Sequence, residues 1–406
     1  MIFNSIVYIG ASCLIKDTQI KTYIARLLSL ESDSEDIDEL WAELKLLDWD
    51  TLIEIARENR VMLLVSYKMR QLGLEERLGP RIRQTLYLKY QKGIARNVIY
   101  KRVLKEVIRS LNKNQVKAIL LKGATMFCEN IYQNQYIRSM ADLDIHILKE
   151  DFPVARKCLM KAGLHYKGGR VPADLHEDFW GKGAKVELHY LPVPEKYRTV
   201  FNMELFWENA VDAEIDGIKT YIPSPTDQIY HSFIHTMVRH QYLIKYQIHD
   251  LYDFVMIVQY YREMIEWEEI LKRVNANNIE SLFKFYCWQI TRNFGFCLPD
   301  PINNLRVEET VRYEILYNRL KDCPGWLESA SERLMAILIK GDNVTSHIKN
   351  TYKVIIKESL LDESKEFLVS LYNLEGKRFL LPFIRVVHFF RITSLHILIV
   401  VYFAKR

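Results

Sequence analysis

The chain has 406 residues, 49% hydrophobic and 26% charged, with 15 glycines and 11 prolines; this excludes a disordered or collagenous protein and allows a core for two or three domains. The net charge of +5 (56 basic, 51 acidic) resides in the tail: Lys377, Arg378, Arg385, Arg391, Lys405 and Arg406 face no acidic residue there, leaving 50 against 51 elsewhere. A body without a basic footprint argues against a nucleic-acid partner.

In chain order, the apolar start "MIFNSIVYIGASC" lacks a positive leading region and a Leu three residues before Cys13, so export is not expected. Six cysteines, scattered without a CxxC pair, are expected as buried free thiols of a cytoplasmic protein. "ESDSEDIDE" (Glu31–Glu39) reads as a solvated turn. Apolar residues at three- and four-residue spacing then run through "LWAELKLLDWDTLIEIARENRVMLLVSYKMRQLG" and "YLKYQKGIARNVIYKRVLKEVIRSLNK", with breaks at Gly73 and Pro80. Residues 1–115 are therefore expected as a helical domain.

The pattern changes over 116–222. "VKAILL", "LDIHILK" and "AKVELHYL" read as strands, and "PVARKCLMKAG" as a helix stopped by Gly163. This alternation predicts a small α/β unit. From Ser224 helices return: "SPTD" supplies an N-cap, a proline in the first turn and Asp227 to complete a capping box. The expected fold class is α+β and mostly α: a minimal core with a short mixed sheet between two all-helical domains, 1–115 and 223–340, followed by a tail, 341–406.

The chemistry-bearing residues cluster in the α/β unit. Asp142 and Asp144 are two apart at a strand start and so share a face. Two carboxylates on one rigid face suit Mg²⁺, with Mn²⁺ as the alternative, and Glu187 is the candidate third ligand, with His189 beside it on the same strand face. Gly123, between the first strand and the helical-looking "ATMFCENIY", lets a phosphate approach backbone N–H groups. Lys122 and Arg138 would add cationic contacts to a triphosphate. Relief of mutual repulsion predicts that loss of either aspartate leaves stability intact or raises it. DxD alone more often marks a solvated loop, and Gly123 alone an ordinary turn; their order along the chain carries the assignment.

Leu121-Lys122-Gly123, Tyr132 or Tyr136, Arg138-Ser139-Met140-Ala141-Asp142-Leu143-Asp144 and Glu187-Leu188-His189 together resemble the nucleotidyltransferase superfamily related to DNA polymerase β. Within it, the chain resembles a bacterial nucleotidyltransferase family with helical flanks, over roughly residues 40–300. The resemblance implies attack by a hydroxyl or phosphate acceptor (small molecule, sugar phosphate, peptide or protein) on the α-phosphate of an NTP, releasing pyrophosphate. It implies Asp142, Asp144 and Glu187 as catalytic metal ligands, and Lys122, Gly123, Ala124, Arg138 and Ser139 around the nucleotide. Ala124 departs from the superfamily's second Gly or Ser and loses a hydroxyl, for which Thr125 is the substitute. It also leaves open a degenerate binding or scaffold protein; an RNA-directed transferase is disfavoured by the neutral body.

In "HSFIHTMVRH", His231 and His235 are four apart, but no HExxH glutamate or cysteine accompanies them, so zinc is not expected there. His235, His240 and Asp250 are candidates to face nucleotide or acceptor, with helix packing as the equal alternative. His176 falls where the family often has a histidine, without an assigned role. In the tail, Ile392–Ala404 is thirteen residues without charge, below the about 20 that span a bilayer. It is either a packed terminal helix or an interfacial anchor for peripheral contact with anionic lipid.

Overall fold

The computed structural model describes residues 17–31, 34–167, 176–193, 199–240, 243, 245–302, 307–320 and 339. The apolar start and the basic tail considered above lie outside the described residues. The chain divides into two compact units. The larger comprises Lys16–Tyr242 and Tyr246–Leu305; the other comprises Met1–Ile15, Leu243–Lys245 and Arg306–Arg406.

The larger unit opens with helices α1 (residues 17–29), α2 (Ile37–Leu44), α3 (Trp49–Glu58), α4 (Met62–Gln71) and α5 (Pro80–Lys113). Asp48 caps α3 by accepting from the backbone N–H of Asp50. Gly73, at φ +67°, takes the left-handed conformation that follows α4, and Pro80 opens α5 where its missing N–H costs nothing. The second half of α5 lays Tyr100, Val103, Leu104, Val107, Ile108 and Leu111 into the core beside the sheet, the three- and four-residue spacing of one helix face.

Seven strands form one mixed sheet in the order β3-β4-β5-β2-β1-β7-β6. They are β1 (Ile119–Leu121), β2 (Leu143–His146), β3 (His165–Tyr166), β4 (His176–Gly181), β5 (Ala184–His189), β6 (Val211–Ile215) and β7 (Ile218–Ile222). The expected strands are β1, β2 and β5, which sit together at the centre; α6 (Phe152–Lys161) is the expected helix ahead of Gly163. β1 runs antiparallel to β2, while β5 runs parallel to β2 and β7 parallel to β1. Leu143, Ile145, Val186 and Leu188 turn into the core, so the alternating Asp144, His146, Glu187 and His189 share the opposite face.

Four strands were not expected. β4 carries only one fully buried apolar residue, Phe179, among charged neighbours, and therefore reads as loop. Its turn into β5, Lys182-Gly183, has positive φ at both residues (52° and 84°). Asp216-Gly217 does the same between β6 and β7 (48° and 78°), a two-residue hairpin signal legible in the sequence.

α7 (Met203–Glu208) precedes β6, and the sheet is followed by α8 (Pro225–Phe233), a π-helical turn at Ile234–Arg239, α9 (Ile248–Tyr261), α10 (Trp267–Ala276) and α11 (Glu280–Phe294). Ser224 does cap α8, accepting from Asp227 N–H at 3.2 Å. The reciprocal arm differs: the Asp227 carboxylate accepts from Ser224 Oγ, Asn209 and Arg273 instead. In the smaller unit the described helix is α12 (Val307–Leu320). No helix among the described residues is long and apolar enough to cross a membrane.

Candidate functional site

Cross-strand register builds the site. Asp144 on β2 lies opposite Glu187 on β5, and Glu187 lies opposite Asp178 on β4, so three carboxylates form a row across adjacent strands. Asp142, expected at the start of the Asp144 strand, instead falls one residue ahead of β2 and reaches the same cleft from the loop. The row opens into a cleft of about 550 Å³, also lined by Lys122, Gly123, Arg138 and Ser139. From the helical side His235, His240 and Asp250 line the same cleft. Two expected site residues stand apart from its surface. His189 is buried beneath it, and Ala124 has its methyl packed in the core.

Asp144 is 2% exposed, and its Oδ1 accepts from Lys122 Nζ at 2.8 Å and from His189 Nε2 at 2.9 Å. Burial pushes its carboxyl up, but Lys122 and His189 outweigh that and hold it well below the usual range. Burial likewise opposes ionisation of Glu187, yet the His189 and Lys185 contacts bring it down to about 2. Asp142 differs. It has no ion pair or hydrogen bond among the described residues, and burial together with the negative charges of Asp144 and Glu187 raises it to about 6. A half-buried carboxylate facing two others without an ion pair of its own is a group that a divalent cation would relieve. On this observation the oxygen-rich set Asp142, Asp144 and Glu187 fits Mg²⁺ or Mn²⁺.

The strand-to-helix turn departs from expectation. Lys122–Phe127 is a short 3₁₀ segment rather than an α-helix, so it offers the N–H groups of a turn and no helix macrodipole. Lys122 adopts φ 50°, and the Thr125 hydroxyl donates to the Lys122 carbonyl at 2.7 Å. That bond occupies the hydroxyl expected to replace the one missing at residue 124. A Cβ on Gly123 would collide with Arg138 Nη1, which is why no larger residue fits under the guanidinium.

Arg138, expected on phosphate, is engaged by Asp253 of α9: its Nε donates at 2.9 Å and its Nη2 at 2.6 Å. Tyr132 adds its hydroxyl to the same carboxylate at 2.5 Å. Asn97 of α5 donates to the Tyr136 and Arg138 carbonyls, fixing the loop that carries Arg138. Asp253, Asp178 and Lys185 were not foreseen. Asp253 is distant in sequence from Arg138, whereas Asp178 alternates with His176 in a way that marks them as same-face residues once β4 is recognised as a strand.

On the helical side the histidines are held neutral, although Arg239 and Asp250 line the cleft beside them. Burial holds His231 down to about 3 and His235 well below the ordinary histidine value, and His240 falls to about 4. His231 and His235 rings are 6.2 Å apart, and those of His235 and His240 are 4.6 Å apart. The π turn between α8 and His240 brings the latter pair together.

A mixed sheet that presents aspartates and a glutamate from neighbouring strands beside a strand-to-turn glycine defines a nucleotidyltransferase-type core. The chain belongs to the uncharacterised nucleotidyltransferase family, whose model matches residues 45–295. Membership points to a transferase that uses a nucleoside triphosphate. No curated protein matches the chain.

Proposed function

We propose that the protein is a Mg²⁺-dependent nucleotidyltransferase that moves a nucleoside monophosphate from an NTP to a hydroxyl or phosphate acceptor. The observation that carries this reading is Asp142, a carboxylate without a partner among the described residues, at the edge of the row formed by Asp144 and Glu187. Asp142, Asp144 and Glu187 would hold the ion, which supplies positive charge to the phosphate oxygens and the leaving pyrophosphate. The acceptor oxygen bonds to the α-phosphorus as the bond to the β-phosphate bridge breaks, pyrophosphate leaves with the electron pair, and a hydroxyl acceptor passes its proton to water.

The chain's own residues mainly position and neutralise. Lys122 sets a cation beside Asp144 at the cleft floor, and Gly123 keeps the adjacent backbone bare for a phosphate. Arg138, tied to Asp253, supports that turn rather than reaching outward. His189 holds the Asp144 and Glu187 carboxylates in register from below. His235, His240 and Asp250 are placed to meet base, sugar or acceptor.

A second reading, a degenerate binding protein, is favoured by one observation: Asp144 is already neutralised by Lys122 and His189. One experiment separates the two. The purified chain is incubated with each NTP and cell extract, and the masses of modified species are measured, with Glu187→Gln and a chelator as controls. Transfer that needs Mg²⁺ and is lost in Glu187→Gln supports the enzyme; thermal stabilisation by NTP without any transferred nucleotide supports the binder.

A further inference from the structure

We propose that His176, His189 and Glu187 form a nitrogen-and-oxygen site for a transition-metal ion, best matched by Zn²⁺, that pins β4 to β5. The register sets His176 opposite His189 and Asp178 opposite Glu187. Both imidazoles turn Nε2 toward Glu187 Oε2, His189 at 3.4 Å and His176 at 3.7 Å, with rings 4.8 Å apart; on taking the ion His189 Nε2 gives up its proton and its 2.9 Å bond to Asp144. Those separations exceed a good N–H···O bond of about 2.9 Å. They lie near the roughly 3.4 Å edge of a tetrahedron with bonds of about 2.1 Å, the usual zinc distance.

His176 supplies the independent observation. Its side chain is 8% exposed, yet it makes no hydrogen bond among the described residues, and its Nε2 faces the carboxylates of Asp178 and Glu187 at more than hydrogen-bond length. Asp178 Oδ1, also buried without a hydrogen bond, lies 3.3 Å from His176 Nε2 and is the candidate fourth donor. Buried polar atoms this poorly matched call for an ion or water between them. Two imidazoles select Zn²⁺ or a neighbouring transition ion over Mg²⁺, which prefers an all-oxygen shell. Glu187 also serves the Mg²⁺ site proposed above, but this inference stands without nucleotide transfer.

The test is metal binding by the full chain, stripped with chelator and free of nucleotide. Calorimetric titration is expected to show one Zn²⁺ per chain, bound at least about 10³-fold more tightly than Mg²⁺. His176→Gln and His176→Ala should each weaken Zn²⁺ by about 100-fold while keeping the wild-type circular dichroism, and Asp142→Asn should leave it within about threefold. Co²⁺ should give the visible bands of a tetrahedral N/O site without a thiolate charge-transfer band, since the cluster of His176, Glu187, His189 and Asp178 holds no cysteine. Zn²⁺ affinity unchanged in folded His176 variants, a thiolate band with Co²⁺, or equal affinity for Zn²⁺ and Mg²⁺ would each overturn the proposal. Loss of NTP transfer with Zn²⁺ binding intact would instead bear on the transferase reading alone.

Discussion

The floor and the wall of the cleft treat charge in opposite ways. The floor, on β2, β4 and β5, gathers Asp142, Asp144, Asp178 and Glu187, with Lys122 and Lys185 as its paired lysines. The wall, formed by α9 and the loop before β2, buries one arginine against one aspartate and adds a tyrosine hydroxyl to complete it. One short run of sequence, Arg138 to Asp144, contributes to both sets. Arg138–Asp253 is a fully matched buried pair, whereas on the floor Asp142 has no ion pair among the described residues. The two regions thus differ in whether each charge has its partner inside the fold.

The largest effect is expected at the wall. Arg138→Ala strands Asp253 in the interior, and removal of one partner from a buried pair costs about 3–5 kcal/mol. Gly123→Ala should destabilise as well, because its new methyl occupies the place of the Arg138 guanidinium. The two changes should then be strongly non-additive: once the guanidinium is gone, the methyl added at position 123 has room. Denaturant midpoints of the singles and the double test this. Simple additivity would show that Arg138 does not press on Gly123, and the division between wall and floor would lose its structural half.

The next effect divides the two aspartates of the floor, which the sequence treats as equivalent. Asp144→Asn leaves Lys122 and His189 without their shared anion, for an expected loss of about 3–5 kcal/mol. Asp142→Asn removes only repulsion, so stability in chelator should hold or rise, as expected from sequence for both residues. Melting of the two variants in EDTA decides. Equal destabilisation would mean that Asp142 is paired after all.

What sequence alone made legible is the set of residues whose meaning lies in spacing. β1, β2 and β5, the pairing of Asp144 with Glu187 on one face, the Gly163 stop and the Ser224 cap all follow from local periodicity and stereochemistry, whereas Asp142 falls just outside its expected strand. The rest depended on partners brought together by folding. Arg138 looks like a phosphate ligand until Asp253 arrives on α9, and Asp144 looks like Asp142 until Lys122 and His189 close on it. β4 is hidden in the sequence because His176, Glu177 and Asp178 make it too polar for a strand pattern. The Asp216-Gly217 hairpin was a local signal that went unused.

The smallest effect concerns acid, and it asks whether the wall is neutral because burial forbids charge. His231 on α8 is 4% exposed, packed beside Phe201 and Phe206, with Nε2 3.4 Å from the Pro192 carbonyl. Burial first, then the nearby Lys122 charge, lowers it from 6.5 to about 3. A depressed histidine stabilises the fold fully above its unfolded value, near pH 6.5. That contribution is lost as pH falls toward 3, because the unfolded chain takes the proton first. At pH 5 the loss amounts to about 2 kcal/mol, 1.5 units at about 1.4 kcal/mol each. His231→Gln keeps a donor for the Pro192 carbonyl but cannot titrate. Its stability should therefore fall about 2 kcal/mol less than that of the wild type between pH 7.5 and 5, measured by urea unfolding at both. His146, also lowered to about 3, titrates in the same window in both proteins and cancels from the difference. Identical pH profiles would mean that His231 takes a proton in the folded protein by pH 5. The α8 side of the cleft would then add a positive charge to that of Arg239 in acid, and the contrast with the floor would become electrostatic complementarity.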